Sequence, residues 1–338
     1  MQPYEIALLI LSIVLVLFLL FAFLYLCVLP RVIVHKIRTA PNPDGEMTYP
    51  DNFDELKAKV KIERDLVYPS KKPSNRYNLY LPLQGEGTKK FPLIVWIHGG
   101  GFIGGTKDGG DNVMIALAAA GHAVASIDYA VAPEHPYPTA VRQASEFAEH
   151  ILKAAPKHPE IDTERIAFGG DSAGAQIAAQ YIATQTNAAL AAEMGIPQTL
   201  KGRIKAAVLV CGPFDLPAIR TYAKRTNKAF CRLVDIWGRA YFRKLLWTRS
   251  RPAKQTVICS HLTDAFPPTF LTDGNKGSFE VQNRKLAKAL KERGIPVEEL
   301  YFDPEQGDVP HEYLFHLHEA NSQLCMSRIG TFLGEYLN

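Results

Sequence analysis

Apolar residues in the middle of the chain fall into short runs rich in β-branched and aromatic residues. Each run is bounded by glycine, proline or polar residues, and this pattern predicts β-strands. The first two runs follow each other without an intervening helix, so we expect an antiparallel start to a sheet. The runs are KVKIERDLVY, RYNLYLPL, PLIVWIHGG, HAVASIDYA, ERIAFGG, IKAAVLVCG, PPTFLTDG and VEELYF.

Between the later runs, apolar positions recur with the spacing of one helix face. These helical patterns cover residues 140–153, 173–186, 281–293 and 319–337. Nearly continuous apolar strands that alternate with helices are typical of a mostly parallel sheet covered on both faces. The sequence therefore predicts an α/β domain.

A different pattern opens the chain. Residues 6–29 carry no charge and no proline, and at about 1.5 Å per helical residue they are long enough to cross the hydrocarbon core of a bilayer. A cleaved secretory signal would need a basic segment before a shorter apolar run, whereas only Glu5 precedes this one. Basic residues follow it, at Arg31, Lys36 and Arg38. We expect a single-pass membrane anchor over residues 1–38, with the domain at 39–338 in the cytoplasm.

Composition adds a few limits. The chain has 338 residues, of which 47% are hydrophobic and 21% charged, and this is typical of a globular protein. Its five cysteines lack CxxC spacing, so we expect buried thiols, with neither a disulfide framework nor a metal site. The net charge is +4, and the sequence contains no nucleic-acid-binding motif. We therefore do not expect nucleic acid as a partner.

Candidate chemistry begins at Gly-Asp-Ser-Ala-Gly, residues 170–174, which follows a predicted strand and opens a predicted helix. A serine at so sharp a turn has a strained backbone, and side chains two residues before or after it would collide. Gly170 and Gly174 remove that collision. This context is the one required by a nucleophile elbow, with Ser172 as the nucleophile.

A second glycine motif, His-Gly-Gly-Gly-Phe at 98–102, follows the strand PLIVWI. Three successive glycines allow a substrate carbonyl to approach the main chain, where backbone N–H groups could hold a developing oxyanion.

Taken in order, HGGGF, DYAVAPEHPYP (128–138) and GDSAG resemble the hormone-sensitive-lipase-like branch of the α/β-hydrolases. The resemblance extends from about residue 75 to the end and implies a carboxylic ester hydrolase with a cap over its site. It assigns the oxyanion hole to the backbone N–H groups of Gly100, Gly101 and Ala173. Asp128, Glu134 and His135 are expected to shape a turn near the site rather than to react.

Within this resemblance, the general base should lie after the last strand and before the final helix. His311 occupies that position, whereas His98 belongs to the glycine loop. His316 and His318 lie further along and are expected at the edge of the final helix.

The third catalytic residue, the carboxylate that pairs with the histidine, is harder to assign. The family has an aspartate a few residues into the loop after the seventh strand, where this chain has Lys276 and Gly277. Asp273 lies earlier, at the end of the strand, and satisfies the order Ser, Asp, His. It is our preferred acid, with Glu280 and Asp264 as alternatives.

An insertion at about 216–265, between the sixth and seventh strands, is expected to form the cap. Residues 220–254 contain eleven basic residues and one acidic residue, Asp235. Apolar residues at helical spacing would form one face, at Phe230, Leu233, Val234, Trp237, Tyr241 and Leu245. The basic side is either a solvated helix surface or a surface that contacts anionic lipid.

Together these observations predict a serine esterase for short- to medium-chain esters, acting through Ser172, Asp273 and His311 without a cofactor. Two alternatives stay open: a lipase for membrane lipids or acylglycerols, and a catalytically weak hydrolase that binds or senses a ligand.

Overall fold

The computed structural model describes residues 2–40, 47–83, 90–226 and 228–337. Part of the polar segment after the apolar run, residues 41–46, lies outside them. The helices are α1 (Pro3–Phe23), α2 (Leu29–Thr39), α3 (Phe53–Lys57), α4 (Asp111–Ala119), α5 (Thr139–Ala154), α6 (Ala173–Thr186), α7 (Ala188–Met194), α8 (Leu216–Thr226), α9 (Lys228–Phe242), α10 (Arg251–Gln255), α11 (Glu280–Lys291) and α12 (Ala320–Leu337).

The strands form one eight-stranded sheet in the order β1-β2-β4-β3-β5-β6-β7-β8. They are β1 (Val60–Val67), β2 (Arg76–Pro82), β3 (Phe91–Ile97), β4 (Ala123–Ile127), β5 (Ile161–Asp171), β6 (Ile204–Val210), β7 (Thr269–Thr272) and β8 (Val297–Leu300). Each predicted run forms one of them. Strand β2 is antiparallel to both β1 and β4, and every other pairing is parallel, which confirms the α/β class and the antiparallel start.

The sheet separates two apolar cores. On one face, α5, α6 and α11 pack through residues such as Phe147, Ile177 and Leu286. On the other face, α4 and α12 pack through residues such as Met114 and Leu333. Helices on both faces follow from the near-continuous apolar strands, because neither face can be left in water.

The four predicted helices form α5, α6, α11 and α12. Helix α4, between β3 and β4, is not among the four predicted helices. Most residues of α4 from Asn112 to Ala118 are buried, because this helix packs against the sheet and neighbouring segments. A helix that is apolar nearly all round has no periodic stripe to detect.

Parallel register brings two loops side by side. Ile97, the last residue of β3, pairs with Gly170 in β5. The glycine motif that follows β3 and the serine motif that follows β5 therefore emerge next to each other, at the carboxyl edge of the sheet where open α/β sheets bind ligands.

At the N-terminus, α1, a five-residue turn of π-helix (Leu24–Val28) and α2 join into a helix of 37 residues, Pro3–Thr39. By length and composition it can cross a bilayer, and the same features also fit a signal sequence. The end of this helix packs on the α/β domain, with Val34 only 1% exposed. The boundary expected after residue 38 stays a prediction, and α2 contacts the domain through its buried Val34.

Candidate active site

Ser172 lies in the turn between β5 and α6, with φ 47° and ψ −117°. Its backbone N–H donates to the carbonyl of Val210 at 2.8 Å, which fixes the turn against β6. A Cβ at Gly174 would lie 1.9 Å from the carbonyl oxygen of Ile97, and one at Gly170 would lie 2.6 Å from backbone atoms of Gly174 and Ile97. Only glycine fits at these two positions, so the strained turn can form as predicted.

His311 lies in the loop after β8, where its backbone N–H donates to the carbonyl of Lys276 at 3.0 Å. Its Nε2 lies 3.0 Å from Oγ of Ser172, within hydrogen-bond distance. Its ring meets the ring of Phe279 edge-on, with 5.5 Å between centroids. The imidazole is thus positioned to take a proton from the serine hydroxyl.

Asp273 follows β7 directly and is completely buried. Its Oδ1 lies 3.5 Å from Nδ1 of His311, and its Oδ2 accepts a hydrogen bond from the N–H of Phe279 at 2.7 Å. The backbone of Phe279 therefore orients the carboxylate that faces the imidazole.

The alternative acids lie elsewhere. Glu280 begins α11, and its carboxylate pairs with Arg284 at 2.6 Å. Asp264 is exposed in the turn before β7, at the opposite end of that strand from Asp273. Of the three carboxylates weighed from the sequence, Asp273 is the one that faces His311.

The remaining histidines take other positions. Burial lowers the pKa of His98 to about 4, and its ring stacks on Tyr129 with 4.3 Å between centroids. His316 and His318 lie just before the final helix, which begins at Ala320. The Nδ1 of His318 contacts Oγ1 of Thr48.

The glycine loop after β3 takes backbone conformations that favour glycine, with φ +106° at Gly100 and +60° at Gly101. Ala173 occupies the first position of α6, where a backbone N–H has no partner within the helix. All three residues line one cavity together with Ser172 and His311.

Asp171 was given no role in the sequence interpretation, although it lies inside the serine motif. Its buried carboxylate accepts hydrogen bonds from Nε1 of Trp96 at 2.8 Å and from the backbone N–H of Gly99 at 2.6 Å. Burial raises its pKa to about 6, against the opposing effect of hydrogen bonds that include one with Glu312. Only the position of Asp171 beside the nucleophile could have drawn attention to it.

Cys211, which follows β6, adds a thiol to this cluster. Its Sγ and ligand atoms of Asp273 and His311 all lie within 4.8 Å of one another, and these donor types can hold a metal ion. Burial and nearby carboxylates raise the pKa of the thiol well above its usual range. The raised pKa favours the neutral thiol form of Cys211 beside Asp273 and His311.

Residues 94–313 match the family described as the alpha/beta hydrolase fold. The chain belongs to this family. The match confirms the predicted fold class and the resemblance to the esterase branch that the sequence motifs indicated.

Among curated proteins, this α/β-hydrolase is similar to esterase LipI of Mycobacterium tuberculosis, with 37% identity over 102 residues, which is 30% of this chain and 32% of LipI. It is also similar to an acetyl esterase of Salmonella schwarzengrund, with 37% identity over 87 residues, 25% of this chain and 27% of that enzyme. The chain thus spans about a third or less of the length of these relatives.

Among solved structures, the hydrolase is similar to esterase B from Lactobacillus rhamnosis, with a TM-score of 0.70 and 20% identity over 86% of this chain and 88% of that one. At this identity the likeness shows the fold alone.

The insertion expected to be the cap contains α8, α9 and α10. Trp237 in α9 donates its indole N–H to the carbonyl of Gly101, and Tyr241 in the same helix stacks on Phe102 with 4.2 Å between centroids. Of the predicted apolar face, Val234 and Tyr241 are buried, whereas Phe230, Leu233 and Leu245 are exposed. Helix α9 therefore contacts the glycine loop directly.

Beneath these helices is a cavity of about 1550 Å³ that reaches Ser172. This volume exceeds the ~300–1,000 Å³ of common small-molecule sites. Its walls come from the glycine loop and from helices α8, α9 and α2.

Proposed function

We propose that this α/β-hydrolase is a carboxylic ester hydrolase with Ser172 as its nucleophile. The observation that carries the proposal is the 3.0 Å contact between Oγ of Ser172 and Nε2 of His311, at a serine with φ 47°. A serine held in a strained turn beside an imidazole is an activated nucleophile.

In the first half of the reaction, Oγ of Ser172 attacks the carbonyl carbon of the ester while its proton passes to Nε2 of His311. The carbonyl oxygen becomes an oxyanion, which the backbone N–H groups of Gly100, Gly101 and Ala173 stabilise. One such donor is typically worth about 3 kcal/mol. The C–O bond then breaks, and His311 returns the proton to the leaving alcohol.

In the second half, water gives a proton to His311 and attacks the acyl carbon. The Oγ–acyl bond breaks, the carboxylic acid leaves, and Ser172 regains its proton. Asp273 stabilises the imidazolium in both halves and holds the tautomer that keeps Nε2 free to accept. Its complete burial and its contact at 3.5 Å support this role.

We also propose that the N-terminal helix is a single-pass membrane anchor rather than a cleaved signal. The basic residues Arg31 and Lys36 follow the apolar run, which favours a cytoplasmic hydrolase domain. The helices at 216–265 act as the cap, and their basic side is suited to contact with anionic lipid.

A chain-length series of p-nitrophenyl esters tests the activity. We expect the full chain in detergent to hydrolyse the series and Ser172→Ala to lose this activity, while Ser327→Ala, an exposed serine of α12, keeps it. A preference for acetyl or butyryl esters would indicate an esterase, and a preference for long acyl groups a lipase. A folded wild type that hydrolyses no ester would instead indicate a binding module.

A further inference from the structure

The helix that carries the apolar N-terminal run also forms part of the wall of the catalytic cavity. Val34, Ile37 and Arg38 of α2 line this cavity. The guanidinium of Arg38 donates to the carbonyl of Ala132 and to the carboxylate of Glu134, each at 2.8 Å. These contacts fix α2 at the rim of the site, close to the glycine loop.

The cap contacts the same helix closer to the bilayer. The guanidinium of Arg239 in α9 lies 4.2 Å from the centroid of the ring of Tyr25, within the apolar run. Tyrosine is enriched at membrane interfaces, and a cation stacked on its ring is attracted by the π-electrons. The cap is therefore held against the end of the segment that we assign to the membrane.

The distance along the helix from bilayer to cavity is short. Ile37 is about 12 Å beyond Leu29, the end of the apolar run, at ~1.5 Å per residue. The headgroup layer on each side of a bilayer is itself about 5–8 Å deep. Ile37, at the mouth of the cavity, consequently lies only about 4–7 Å outside the headgroup layer.

Apolar side chains extend the cavity onto the surface at this mouth. Ile37, Tyr222, Phe230 and Leu233 line the cavity and are also exposed. Exposed basic residues flank them on two of these three helices, at Arg31 and Lys36 in α2 and at Arg232 in α9. Apolar residues bordered by basic ones are typical of a surface that rests on anionic lipid.

We propose that the hydrolase takes its substrate laterally from the bilayer. The substrate class is a long-chain carboxylic ester dissolved in the membrane, whose acyl chain enters along the apolar rim where α2 meets α9. The proposal rests on the proposed ester hydrolysis. It adds the substrate class and gives the anchoring helix a second role as a wall of the site.

The test uses the full chain reconstituted in phosphatidylcholine vesicles. Two fluorogenic esters are compared, 4-methylumbelliferyl oleate dissolved in the vesicles and 4-methylumbelliferyl acetate in the water phase. The measured quantity is the ratio of the two kcat/KM values. In Ile37→Gln an amide replaces an apolar side chain at the rim. Val32→Gln is a matched control on the same helix, since Val32 is 48% exposed against 41% for Ile37 and is not among the described residues that line the cavity.

We expect wild type to hydrolyse both esters, and Ile37→Gln to lower the oleate-to-acetate ratio about five- to tenfold, because the acyl chain must pass a polar group. Val32→Gln should keep the wild-type ratio. Hydrolysis of acetate but not of vesicle oleate would overturn the inference and leave the proposed function intact, as would equal ratios in the two variants. Hydrolysis of neither ester would overturn the proposed function itself.

Discussion

The carboxylate of Asp171 accepts a hydrogen bond from the backbone N–H of Gly99 at 2.6 Å, and so joins the serine turn to the glycine loop. The indole of Trp96 donates to its other oxygen at 2.8 Å. Gly99 has no room for a side chain here, since a Cβ would lie 2.3 Å from the carboxylate. One buried side chain thus fixes the relative positions of the nucleophile and the amides proposed to hold the oxyanion.

The protonation of Asp171 should make stability depend on pH. Burial raises its pKa to about 6, above the ~3.9 of an unfolded aspartate. Between these values the folded state binds the proton and the unfolded state does not, so stability falls as pH rises through this range. We expect the Tm of wild type minus that of Asp171→Asn to decrease over this range and to be constant above pH 7. A difference that does not vary with pH would contradict this.

Asp273→Asn should lower kcat by about 10³- to 10⁴-fold, because an asparagine can hold the wrong tautomer of His311. Glu280→Gln is the matched control, since Glu280 pairs with Arg284 instead, and it should change kcat by less than about threefold. Steady-state kinetics on one soluble ester measures both variants. A large loss in Glu280→Gln and a small one in Asp273→Asn would show that the acid is misassigned.

Trp237→Phe should lower kcat several-fold with little change in KM. The phenyl ring keeps most of the packing but cannot donate to the carbonyl of Gly101, a hydrogen bond typically worth about 1 kcal/mol. Trp247→Phe is the control, because its indole N–H instead donates to Asp235 at 3.2 Å within the cap. The control should affect thermal stability and leave kcat unchanged. Equal effects of the two variants on kcat would argue against a role for the cap in holding the glycine loop.

Two N-terminal deletions should behave differently. Removal of residues 1–28 leaves α2 on the domain, whereas removal of 1–38 also takes away buried Val34 and the guanidinium of Arg38. Burial of a valine is worth about 1.5–3 kcal/mol. We therefore expect the longer deletion to have a Tm several degrees lower and weaker ester hydrolysis. Indistinguishable Tm values would show that α2 is a tether and not a wall.

The fold could be predicted from the sequence to a large extent, because its strands are short apolar runs, four of which end in glycine. His311 was found from its place between the last strand and the last helix. The choice among Asp273, Glu280 and Asp264 needed coordinates, since loop length shifts the acid along the chain. Helix α4 was missed because it is apolar on nearly every side.

The contacts of Asp171, Trp237 and Arg38 could not be predicted either, because each joins segments far apart in the sequence. Arg38 looked like one of several basic residues flanking a membrane span, yet its guanidinium reaches Glu134. Long-range hydrogen bonds of this kind depend on the packing of whole helices and leave no local pattern.

Reaction of the full chain with a fluorophosphonate, followed by peptide mass spectrometry, tests the central claim most directly. An activated serine displaces fluoride and keeps the phosphonyl group on its oxygen, whereas ordinary serines do not react. We predict one adduct, on Ser172, that is absent from Ser172→Ala and strongly reduced in a folded His311→Ala variant. An unlabelled but folded wild type, or an adduct on another serine, would contradict the assignment of Ser172 as the nucleophile.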